Sequence, residues 1–238
     1  MQKLYEKSRL SFALMWILLY VVGTSMADAA SRAIGIEKLL TLPWLLLLSL
    51  YAALWLKKQG LTRSYGLCAP ALPASGLLWY LPLVLLCTTN LWYGVTMNMP
   101  LPDALLYVGS MACVGFLEEL IFRGFLFKAM AENDLRAAVI VSSLTFGMGH
   151  IVNLFNGSGA ELLPNLCQVI YAAAIGFAFV LLFLKTGSLY ACIATHSIVN
   201  MLSAFADRGD LSPAHTVLSA LFLTVVSLGY AWWLHRKV

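Results

Sequence analysis

The stretch GFLEELIFRGFLF, residues 115–127, decides how the chain is read. It sets two adjacent glutamates, Glu118 and Glu119, and one arginine, Arg123, inside an apolar run. On a helix in water such charges mark the wet face. Near the centre of a bilayer each costs on the order of 3 kcal/mol, so they must face a polar interior. The solvent around this segment is fixed by the rest of the chain.

The 238 residues are 61% hydrophobic and 11% charged, with a mean hydropathy of +0.84. A soluble domain is about 25% charged, so the composition excludes an ordinary soluble globule. Apolar runs of the length that spans a bilayer recur at 10–27, 39–56, 75–97, 104–127, 137–155, 164–184, 188–206 and 213–234. The expectation is an all-α, polytopic bundle of about eight transmembrane helices. With short connections and no repeat, residues 1–238 read as a single integral membrane domain.

The basic N-terminus (Lys3, Lys7, Arg9) and the small residues around Ala27 resemble a signal peptide. The first run is long for that role and further spans follow, so it is read as a retained helix. An N-terminus on the cytoplasmic side puts Lys57, Lys58, Arg63, Lys128, Arg136, Lys185, Arg236 and Lys237 on that side too, leaving Arg32, Lys38 and Arg208 opposite. That is a positive-inside pattern with both termini cytoplasmic. The net charge of +4 then reflects topology and anionic membrane lipid, not nucleic acid. Five cysteines without metal-ligand spacing read as packing residues.

Titratable groups inside the spans gather in three places: Glu118, Glu119 and Arg123, then His150, then His196. Residues four apart on a helix nearly eclipse, so Glu119 and Arg123 can pair, while Glu118 is rotated by about 100°. The natural reading is an ion pair beside a carboxylate free for chemistry; the plain alternative is one buried packing network. His150 follows Gly147 and Gly149, which leave room for close helix approach, and Phe146 and Asn153 lie near its face. His196 shares a face with Asn200 and Ser203. Each histidine alone could be interhelical glue. Together, a glutamate, two histidines and an amide are the ingredients of hydrolysis by activated water. No HExxH is present.

These elements resemble the CAAX prenyl proteases and bacteriocin-processing enzymes, the Abi-type intramembrane endopeptidases. EExxxR reads here as Glu118-Glu119-Leu-Ile-Phe-Arg123, FxxxH as Phe146-Gly-Met-Gly-His150, and HxxxN as His196-Ser-Ile-Val-Asn200, all within 104–206. The resemblance implies an endopeptidase acting on a membrane-associated or lipidated peptide or protein. CAAX-type processing, bacteriocin or signal-peptide maturation and self-immunity are the family's settings. It implies Glu118 and His150 as the water-activating pair, His196 and Asn200 as the oxyanion hole, and Glu119, Arg123 and Phe146 in support. No cofactor is expected to be obligatory; a divalent metal such as zinc, if bound, would take Glu118, His150 and His196. The family's distribution suggests a bacterial cell membrane. Two other classes stay in view: a non-catalytic immunity or peptide-binding membrane protein, and an ion-coupled transporter, although no inverted repeat is detectable. Oligomeric state is not legible.

One spacing conflicts. If the fourth run ends near Phe127, Glu118 lies about 14 Å from the inner surface, whereas entry at Ala137 puts His150 about 20 Å deep. The mismatch predicts an interfacial stretch within 128–141 and a span starting nearer Ser142.

Overall fold

The computed structural model describes residues 1–236 apart from 72, 73, 208 and 210, with the backbone alone at 74, 75 and 77. Of the residues used for orientation above, Arg208 and Lys237 lie outside that set. The described chain is helical throughout, with one isolated antiparallel bridge, Val95 to Ala206. Its helices are α1 (Gln2–Lys7), α2 (Arg9–Ile34), α3 (Thr41–Lys58), α4 (Leu81–Cys87), α5 (Leu101–Glu118), α6 (Phe127–Ala131), α7 (Leu135–Gly149), α8 (Leu162–Thr186), α9 (Tyr190–Leu202) and α10 (Pro213–His235). A π-helix, Glu119–Leu126, joins α5 to α6 in one continuous rod.

Five of these stretches are long and apolar enough to cross a membrane: Arg9–Ile34, Leu101–Ala131, Leu135–Leu154, Leu162–Thr186 and Pro213–His235. With the 18-residue α3 and the shorter apolar helices Leu78–Leu91 and Tyr190–Phe205, they match the eight expected segments in order. The protein is an integral membrane helix bundle.

Two expected spans are shorter than drawn. The run 75–97 breaks into a 3-10 turn at Ala74–Tyr80, then α4 and a further 3-10 turn at Thr89–Leu91. Pro82 at the start of α4 can end one helical segment and begin another, because it lacks an N–H and has a fixed φ. The run 188–206 gives α9 and a 3-10 turn at Ser203–Phe205. Its end is tied down: Asn98 donates to the carbonyls of Ala204 and Ala206, and the Thr96 N–H donates to Phe205 O.

The depth conflict disappears because the rod containing Glu118 does not stop at Phe127. It continues to Ala131, so Glu118 lies about 20 Å from the connecting turn. On the other side of that turn α7 begins at Leu135, not near Ser142, with the Asp134 carboxylate capping the N–H groups of Arg136 and Ala137. His150 then lies about 22 Å from the same turn. The two residues are therefore level.

Side-chain contacts group the charges by end. Arg9 pairs with Glu132, and Lys128 donates to Ser64 O, which brings the α1–α2, α3–α4 and α6–α7 connections to one end. At the other end Lys38 pairs with Asp28 and Arg32 donates to Asn156 O. This grouping agrees with the cation asymmetry read from the sequence. Close helix approach relies on glycine at two positions. A Cβ on Gly115 would sit 2.6 Å from the backbone N of Ser197, and one on Gly147 would sit 2.7 Å from Val169 O. Gly149, expected to do likewise, faces no neighbour within 4 Å.

Candidate active site

Glu118 is the last residue of α5 and Glu119 the first of the π-helix. All eight residues from Glu119 to Leu126 are buried. The wider turn is visible in the Phe127 N–H, which reaches back five residues to Phe122 O. Phe122 O also accepts from Ser142 Oγ at 2.8 Å, so α7 is fastened to the widened segment. From below, Phe125 is wedged against Phe12, Trp16 and Tyr65, with ring centroids 5.1, 5.6 and 5.2 Å away.

The Glu119 and Arg123 side chains are completely enclosed, and Arg123 Nη1 donates to Glu119 Oε1 at 3.1 Å. Separating such a pair leaves a bare buried charge, which costs about 3–5 kcal/mol. The guanidinium carbon of Arg123 lies 3.9 Å from the Phe146 ring centroid, so the ring's negative face meets the cation. This gives the aromatic of the second motif a physical task. Its remaining ring contacts are edgewise, to His150 at 5.6 Å and His196 at 5.5 Å. Phe146 thus touches the arginine and both histidines.

His196 stands between the glutamates. Its Nδ1 lies 2.8 Å from Glu119 Oε1, and its Nε2 lies 3.6 Å from Glu118 Oε2. A carboxylate can only accept, so the Nδ1 contact places a proton on that nitrogen. Nε2 is left to face Glu118, just beyond hydrogen-bond range. Glu118 is not bare on its other side: Tyr20 donates to its Oε1 at 2.6 Å. The Glu118 side chain keeps 15% exposure where Glu119 keeps none.

A cavity of about 80 Å³ opens beside His196, lined by His150, Asn200, Thr195, Gln168 and Phe146 among others. The residues from the second and third motifs therefore converge on one space. Asn153 and Ser203 do not join them. Asn153 accepts from Asn156 in the loop after α7, and Ser203 bonds to Asn200 O and Tyr107 at the end of α9. Among the described residues, no three His, Cys, Asp or Glu side chains are grouped closely enough to hold a metal ion. As arranged, Glu118, His150 and His196 do not form the three-ligand set considered above.

Sequence reasoning missed Tyr20, Thr195 and Gln168. All three are uncharged, and a search for charges in apolar runs passes over them. Gln168 carried the clearest signal, an amide within the most apolar span.

The geometry that unites the three motifs has a counterpart in comparison with known proteins. Residues 100–202 match the family model described as type II CAAX prenyl endopeptidase Rce1-like. Over that segment, less than half of the chain, the protein is similar to that family. No curated protein and no solved structure matches the chain. The Rce1-like segment runs from the start of α5 to the end of α9 and contains both glutamates, Arg123, Phe146, both histidines and Asn200. The matched family is one of proteases, and five stretches of the described chain are long and apolar enough to cross a membrane. Tyr20 lies outside the Rce1-like segment.

Proposed function

We propose that the protein is an intramembrane endopeptidase in which Glu118 is the general base. The observation that carries this reading is the unequal treatment of the two glutamates: Glu119 is bonded to both Arg123 and His196, while Glu118 has an oxygen directed toward His196 Nε2. In this mechanism Glu118, with His150, takes a proton from water. The resulting hydroxide attacks the scissile carbonyl, whose oxygen is received by the oxyanion hole of His196 and Asn200, with the Asn200 amide donating to it. Collapse of the tetrahedral intermediate breaks the C–N bond, and the proton held by Glu118 passes to the leaving amine. Glu119, Arg123 and Phe146 hold His196 in place. No step is routed through a metal.

The substrate class is a peptide or lipidated protein entering from the bilayer; the family's printed name favours a prenylated C-terminal segment. Bacteriocin or signal-peptide maturation and self-immunity remain within the same chemistry. The basic end of the bundle is assigned to the cytoplasm of a bacterial cell. The deciding experiment exposes wild type and Glu118→Gln, in detergent, to a library of lipidated and unlipidated peptides, with cleavage followed by mass spectrometry. Cuts made by wild type and lost in an equally folded variant establish the enzyme. Equal cleavage by the variant, or none by wild type, moves the protein to the non-catalytic, peptide-binding class. Repeating the assay with a chelator tests the metal.

A further inference from the structure

We infer that Tyr20, on a helix outside the Rce1-like segment, is a positioning residue that holds Glu118 in its working orientation. The inference rests on the reading of Glu118 as the base. Tyr20 is buried, with 7% exposure, and its hydroxyl meets Glu118 Oε1 at 2.6 Å. That is the short range of an O–H donor on a carboxylate, about twice as strong as a neutral bond. The contact occupies one carboxylate oxygen and leaves Oε2 toward His196 Nε2. A glutamate has three rotatable side-chain bonds, so one fixed oxygen removes most of the freedom with which the other would wander.

The placement of Tyr20 is built into α2. Phe12 and Trp16 pack on Phe125 of the π-helix, and Tyr20 continues their row at the same four-residue spacing. The row carries the phenol up to the level of Glu118. The choice of donor also fits the task. Glu119 is held by a cation, Arg123, and Glu118 by a neutral hydroxyl. A neutral donor fixes a carboxylate without adding a second positive charge that would compete for its lone pairs.

The test uses Tyr20→Phe, which keeps the ring and removes only the hydroxyl, on the full-length protein in detergent. With the library peptide that wild type cuts fastest, kcat should fall about tenfold while KM and the melting midpoint stay within error. An infrared difference spectrum of wild type against Glu118→Gln locates the Glu118 carboxylate band, and Tyr20→Phe should displace it. The band is read without substrate. An unmoved band, or an unchanged kcat, overturns the inference, and so does a rise in KM at constant kcat. Loss of cleavage in Glu118→Gln beside an unaffected Tyr20→Phe sinks the role of Tyr20 alone. Cleavage surviving Glu118→Gln sinks the base reading itself.

Discussion

Glu118 and Glu119 are consecutive residues in unlike surroundings. On the Glu119 side everything is closed: the carboxylate, Arg123 and the face of Phe146 form a sealed stack with no exposure at either charge. On the Glu118 side the carboxylate is partly accessible, held by one phenol and near one imidazole. The same side chain becomes architecture in one place and a reactive group in the other. The difference comes from whether a full opposite charge is bonded to it. His196 touches both regions, which makes it a link through which the rigid one orients the open one.

That contrast can be broken most sharply at Glu118. Glu118→Gln should leave the melting midpoint near wild type and reduce cleavage by about 10²–10⁴-fold, the usual contribution of a general base. Arg123→Ala attacks the closed region and should act on folding. It strands Glu119, and thermal unfolding in detergent should show a loss of about 3–5 kcal/mol. Comparable activity loss without destabilisation in that variant would erase the distinction. Gly147→Ala should come next, about 1–3 kcal/mol, because the added methyl meets Val169 O and Ala173 across the α7–α8 contact. The smallest change is expected of Gly149→Ala, which meets nothing and should stay within about 1 kcal/mol, on the stabilising side.

Some of this was legible in the sequence for physical reasons. Apolar length is a direct consequence of bilayer thickness, so the order of the eight segments could be read without knowing their packing. The Glu119–Arg123 pair followed from helical spacing, and it forms as expected even though the turn between them is a π-turn. The π-turn itself left no trace, because hydropathy is blind to whether a backbone bond closes over four residues or five. Tyr20 was hidden for a different reason. Its one hydroxyl in an apolar helix looks like an ordinary interfacial aromatic until the partner helix is placed. The break in the third segment was more visible: Pro82 within the run and Gly94 near its end were both warnings. The end of the fourth was misplaced because Lys128 was taken as a boundary, whereas its amine reaches the Ser64 carbonyl and lets the helix run on to Ala131.

The π-helix makes the rod's length in residues matter as much as its length in ångströms. A stretch wound at five residues per hydrogen bond stores one more residue than an α-helix needs over the same turn. Were the same residues wound as α-helix instead, everything beyond would rotate by about 100° relative to α5. Phe125 would then leave its seat against Phe12 and Trp16. The segment therefore acts as a phase setter. Glu118 keeps the angular phase of the helix above it, Arg123 takes that of the helix below, and two charges on one rod can answer to different neighbours.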